Sequence, residues 1–211
     1  MKDAKWCENV ILVDADYVDQ VAFNLIVNFE RMIGRRIPQA DMARWLECVA
    51  LDGGLRPQSP STHNAHNTHD SHNTHNPHST PQIQVILLHS ERAMKNFLPG
   101  SFDQLDGKAF QSELGEFLVS CVKVEPMVTK DQLFTDSLQV VSNAQEVKRL
   151  IVVPDAEHIY NKVREGLRHV DDEKRVTVFC MQPMEGGNYR QEILGYSLMA
   201  ALGIHGDEIK D

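Results

Sequence analysis

The chain has no apolar run approaching the roughly 18 residues that a membrane-spanning helix needs, so nothing in its 211 residues asks for a bilayer. It has no Cys-x-x-Cys pair: Cys7, Cys48, Cys121 and Cys180 stand far apart, without the spacing of a zinc site. Three of them sit in apolar runs and are expected to pack as small hydrophobes. The opening stretch MKDAKWCENV holds neither an apolar h-region nor a small-residue cleavage site. The expectation is a soluble, cytoplasmic chain with reduced thiols. A glycine-rich phosphate loop is missing too, because Gly186-Gly187 is too isolated to be one. Positive charge is short, with 21 Lys and Arg against 30 Asp and Glu for a net charge of −9. That balance excludes general adhesion to nucleic acid or to an acidic membrane, and leaves only a local basic patch for contact with phosphates.

With 42% hydrophobic residues the chain can bury one substantial core, so residues 1–211 read as a single domain. Two runs stand out. Leu150 to Val153 is four apolar residues rich in β-branching, which reads as a strand buried on both faces and ends in Asp155 and Glu157. Asn9 to Val13 is a second such run, ending in Asp14, Asp16 and Asp19. In open α/β sheets ligands bind beyond the C-terminal ends of the strands, so these acids form a candidate site. Taken alone, this stretch reads more readily with Asp155 as a cap for the helix that follows it.

From Tyr17 to Ile33 the apolar residues fall at 18, 21, 22, 25, 26, 29, 32 and 33, a helical stripe closed by Gly34. Pro38 and Asp41 open a shorter helix through Met42, Trp45, Leu46 and Val49, stopped by Gly53 and Gly54. Residues 55–82 are low in complexity, with His63, His66, His69, His72, His75 and His78 at every third position. Such a tract cannot build a core and reads as a disordered insertion, although its imidazoles can chelate zinc, nickel or copper without that being its role. Gln84 to Leu88 is a third strand, 92–115 a loop-rich connection with short helical pieces, and Phe117 to Val124 a strand placed at an edge because it carries polar residues. A helix over 131–147, the Leu150 strand, a helix over 157–169, a last strand Arg175 to Cys180 and a closing helix Tyr189 to Leu202 complete the pattern. That closing helix is read as core, with a homo-oligomer seam as the other use of its apolar face. Alternating strands and helices predict a three-layer α/β/α sandwich with a mainly parallel sheet.

Three places then offer carboxylates to one end of the sheet: Asp14 with Asp16, Asp131 or Asp136, and Asp155 with Glu157. Asp131 and Asp136 lie about 140° apart around a helix, so the two cannot point squarely into one pocket. Carboxylates so close repel and need a cation among them. Hard oxygen donors of this kind suit Mg²⁺ or Mn²⁺. Arg35, Arg36 and Arg44, or Lys162, Arg164 and Arg168, could contact phosphates, but a solvated helix face explains them better.

The order of these parts resembles the NYN-domain branch of the PIN-like metal-dependent ribonucleases over nearly the whole chain apart from the histidine tract. The resemblance is carried by Asp14-Ala15-Asp16-Tyr17 after the first strand, Lys130-Asp131 at a helix start, Pro154-Asp155-Ala156-Glu157 after a later strand, and Lys174 to Cys180. It implies a PIN-like, Rossmannoid fold and Mg- or Mn-dependent hydrolysis of RNA. Asp14, Asp131, Asp155 and Glu157 would be the catalytic metal ligands, Asp16 would lie nearby, and Asp136 is the rival of Asp131. Tyr17 stands where that family has Asn, Pro154 where it has Gly, and Glu157 where it has Asp. These departures open the alternative of a catalytically degenerate domain that binds RNA or protein.

Overall fold

The computed structural model describes residues 5–57 and 80–209, so residues 58–79 of the histidine-rich insertion lie outside the described residues. In chain order the elements are β1 (Asn9–Asp14), α1 (Ala15–Ile33), β2 (Ala40–Asp41), α2 (Met42–Asp52), β3 (Gln82–His89), β4 (Phe97–Leu98), α3 (Phe102–Leu105), β5 (Ala109–Ser112) and β6 (Gly115–Lys123). The second half adds α4 (Lys130–Asn143), β7 (Arg149–Val153), α5 (Ala156–Gly166), β8 (Arg175–Cys180), β9 (Arg190–Ile193), α6 (Leu194–Ala201) and a short 3-10 turn at Gly206–Glu208.

Seven strands form one sheet in the order β5-β6-β3-β1-β7-β8-β9, and β2 pairs with β4 beside it. Every neighbouring pair in the large sheet is parallel except β5 with β6. Side chains alternate across such strands, and the core divides accordingly. Ile11, Val13, Ile151 and Val153 pack with Val18 of α1, Trp45 and Leu46 of α2 and Leu198 of α6. Val10, Leu12, Leu150 and Val152 pack on the other face with Phe134 and Leu138 of α4 and Ile159 and Val163 of α5. Helices therefore cover both faces of the sheet, an arrangement compatible with a Rossmann-like sandwich. That double cover is why β1 and β7 carry unbroken apolar runs. Among the described residues no helix is long and apolar enough to cross a membrane.

Four expectations change in detail. The strand through Phe117 is not at the edge, because β5 adds to it in antiparallel register, Ala109 facing Leu118. Its polar Ser120 is accommodated by donating from Oγ to the carbonyl of Val85 at 3.1 Å. Arg175 to Cys180 is not the last strand, since the first residues of the expected closing helix form β9 instead. An edge strand needs little apolar content, which hid Arg190–Ile193 within the helical reading. The helix after residue 130 ends at Asn143 rather than Val147. Lys174 Nζ takes the carbonyls of Ser142 and Ala144 at 2.6 and 2.8 Å, a cationic stop at a helix C-terminus. The helix after Asp155 likewise closes at Gly166, short of residue 169.

The path through the sheet locates the site. From β1 the chain moves outward to β3 and β6, then crosses back to β7 on the other flank of β1 and continues to β8 and β9. The order reverses between β1 and β7. At such a switch point the connections leave in opposite directions and open a crevice at the C-terminal strand ends. Asp14 and Asp155 stand on its two sides.

Candidate functional site

Asp14 is the last residue of β1 and the N-cap of α1. It is 1% exposed, and its Oδ1 accepts the backbone N–H of Tyr17 at 3.0 Å, satisfying one of the helix's free donors. The same oxygen lies 3.0 Å from Lys130 Nζ. Burial raises the Asp14 pKa above the ordinary carboxylate value, while the Lys130 ammonium and the Tyr17 N–H oppose that rise. Lys130 begins α4, and its ammonium also lies 4.0 Å from Asp16 Oδ2. Asp16 is occupied further, accepting the Ser90 N–H at 2.9 Å, the Ser90 hydroxyl, and the Glu91 N–H at 3.3 Å. Asp16, in the first turn of α1, thus holds down the loop after β3.

Tyr17 lies between the two halves of the site. It is 7% exposed, and its hydroxyl donates to Glu157 Oε1 across 3.5 Å. Burial first, then the charges of Glu157 and Asp155, hold its phenol above the ordinary value, so Tyr17 is a neutral donor. Asp155 occupies the N-cap position of α5 without making a side-chain cap bond. Both of its oxygens lie instead 2.9 Å from His158 Nδ1. The capping alternative therefore fails for the side chain: the acid is spent on an imidazole. His158 is raised above the ordinary imidazole value by that hydrogen bond and by the charges of Asp155, Glu157 and Asp131.

Asp131 is on this rim, with Oδ2 3.7 Å from Lys162 Nζ. Asp136 is not. It accepts from Gln132 Nε2 at 2.7 Å and lines the groove between α4 and α5 with Gln139 and Glu165. Helical phase separates the two, as the spacing requires. The residues missed by sequence reasoning are Lys130 as a partner of Asp14, and Tyr17 as a bridge between the two acid pairs. The one available signal was the position of Lys130 at the start of a helix aimed at the same strand ends.

Within the chain Lys130 supplies a cation to Asp14 and Asp16, His158 hydrogen-bonds Asp155, and Glu157 accepts from the Tyr17 hydroxyl. Among the described residues no group of three or more His, Cys, Asp or Glu side chains is disposed to hold a metal ion. Asp14 and Asp16 are committed to N–H, O–H and ammonium donors, and Asp155 to His158. As arranged, the donor set does not fit Mg²⁺ or Mn²⁺.

A second crevice, of about 480 Å³, opens over the ends of β3 and β6, lined by His89, Phe102, Asp106, Cys121 and Lys123. His89 stacks on Phe102 with ring centroids 3.7 Å apart. Asp106 accepts the Cys121 N–H at 2.8 Å, and burial together with Asp106 and Asp103 pushes the Cys121 thiol up to about 12, which leaves it protonated and unreactive.

A family model described as "Family of unknown function (DUF6621)" matches residues 3–209, and the chain belongs to that family. No curated protein and no solved structure matches it.

Proposed function

We propose that this family member is a divergent PIN-like, NYN-type domain, a three-layer α/β/α scaffold of Rossmannoid type that binds RNA without hydrolysing it. One observation carries the non-hydrolytic part: Lys130 Nζ, 3.0 Å from the buried Asp14 and 4.0 Å from Asp16, stands where the carboxylates need a cation. A tethered ammonium supplies one charge and no exchangeable coordination position, so it neutralises the acids but generates no nucleophilic water. RNA as ligand rests on the resemblance of the strand-end motifs, and the strand order with its switch point supports the scaffold assignment.

The rival reading is Mg- or Mn-dependent RNA hydrolysis. It is favoured by the gathering of Asp14, Asp16, Asp131, Asp155 and Glu157 around one end of the sheet, and it requires Lys130 to release Asp14. The two readings separate in one comparison, the wild-type chain against Lys130→Met, each titrated with Mn²⁺ and followed by melting temperature and by cleavage of labelled RNA. Both proteins carry the histidine tract, so metal taken up there cancels. Non-hydrolytic binding predicts no metal-dependent cleavage by the wild type and a larger Mn²⁺ stabilisation of Lys130→Met. Cleavage by the wild type that EDTA and Asp155→Asn both abolish establishes the hydrolytic reading instead.

A further inference from the structure

The opposite end of the same sheet carries a row of arginines. Arg149 and Arg175 open β7 and β8 and are register partners, and Arg190 opens β9 opposite Thr177, one pleat further along. Parallel partners share a face, and neighbouring strands lie about 5 Å apart, so the three side chains project side by side on the face covered by α2 and α6. Their convergence shows at Gly54, just past α2. A Cβ there would lie 2.7 Å from Arg149 Nη1 and 3.5 Å from Arg190 Nη1. Arg56 joins them from the same turn, donating to the carbonyls of Leu51 and Leu55 at 2.8 and 2.7 Å.

Part of this charge has a structural use. Arg149 donates to the Gly53 carbonyl at 2.7 Å, so Arg149 and Arg56 cap the C-terminal end of α2. Arg190 pairs with Glu192. Asp52, the other carboxylate here, is raised above the ordinary value by burial and by Glu192 against the pull of Arg56 and Arg190. Arg175 is exposed, and its guanidinium has no hydrogen-bond or ion-pair partner among the described residues. Four guanidiniums against the two carboxylates of Asp52 and Glu192 leave a surplus of two positive charges. The strain of that surplus registers on Arg149, which burial and then Arg175, Arg190 and Arg56 all push down. In a chain of net charge −9, a row of like charges across the starts of three neighbouring strands is not explained by packing.

We propose that Arg149, Arg175 and Arg190 form a phosphate-binding row, occupied by successive phosphate groups. Guanidinium forks match phosphate oxygens in pairs, and a row of them suits a linked series of phosphates better than a single anion. The sources of that chemistry are the backbone of single-stranded RNA and free oligophosphate. The RNA assignment rests on the function proposed above; the row itself does not. Because it lies at the other end of the strands from Asp14, it holds whatever the state of the acidic end.

The test uses the full chain and two probes, a fluorescein-labelled oligouridylate followed by anisotropy and inorganic tripolyphosphate followed by calorimetry. Arg175→Gln with Arg190→Gln removes two charges while leaving the Gly53 contact of Arg149 in place. Exposed Arg175→Gln alone serves as the milder variant, and Arg175→Lys with Arg190→Lys as the charge-retaining control. Weakening of both probes by about tenfold or more, a salt slope for RNA reduced by about 1.4, and partial retention in the lysine control are expected. If the wild type binds tripolyphosphate at the row and no RNA, the row stands as a free-oligophosphate site and the RNA reading falls. If it binds RNA as tightly with the glutamines as without, the row is overturned and the RNA reading stands. If the wild type binds neither probe at low salt, both are overturned.

Discussion

The two ends of the central sheet handle charge in opposite ways. At the C-terminal end of β1 and β7 the acids are gathered and then answered internally, Asp14 and Asp16 by Lys130, Asp155 by His158 and Asp131 by Lys162. At the N-terminal end of β7 and β8 the arginines are gathered and answered only in part. The contrast teaches that a cluster of like charges marks a ligand site only where the chain has not supplied the counter-charge itself. On that criterion Asp14, Asp16, Asp131 and Asp155 each have a partner within the chain, while Glu157 meets the Tyr17 phenol and no counter-charge among the described residues, and at the basic end the Arg175 guanidinium likewise has none.

The contrast breaks first, and with the largest effect, at Asp14. Asp14→Ala removes the α1 cap and leaves the Lys130 ammonium facing a void, and is expected to cost about 3 kcal/mol in urea denaturation. Asp14→Asn keeps an acceptor for the Tyr17 N–H and should recover about 1 kcal/mol of that. If Asp14→Ala is neutral, the acidic end is not self-satisfied. At the other end Arg149→Ala strips the Gly53 carbonyl of its donor, with an expected loss of about 1 to 2 kcal/mol by the same measurement. Arg175→Gln is the sharpest contrast, because removing an unanswered charge should change stability by less than about 0.5 kcal/mol. A loss comparable to that of Arg149→Ala would show that Arg175 is structurally engaged.

The smallest effect is a pH dependence at His158. Its pKa is raised in the folded chain, so its contribution to stability is complete below the ordinary value of 6.5 and is lost as pH rises through the folded value. Followed by NMR, the imidazole should titrate above 6.5 in the wild type and return toward it in Asp155→Asn, where the hydrogen-bonding carboxylate is gone. An unchanged midpoint would detach His158 from the acidic end.

Legibility followed burial. α1 and α2 could be read because their apolar residues follow one helical period and their ends carry Asp or Gly in capping positions, and β1 and β3 because they carry unbroken apolar runs. β9 could not, since an edge strand reading Arg-Gln-Glu-Ile has no apolar signature, and its last residue runs straight into the stripe of α6. The acids of the candidate site were visible because they end buried strands. Their partners were not, because Lys130 meets Asp14 only through the crossover that brings α4 back to the switch point. The arginine row escaped for the same reason. Arg149 and Arg175 each follow a lysine at a strand start, and only the parallel register makes them neighbours.

The sheet is bounded on one side by β5 and on the other by β9, each only four residues long. A short border offers an incoming strand few backbone partners, and the charged Arg190 and Glu192 on β9 make that border unwelcoming to an apolar one. Edge-to-edge growth is therefore disfavoured at both margins of the large sheet.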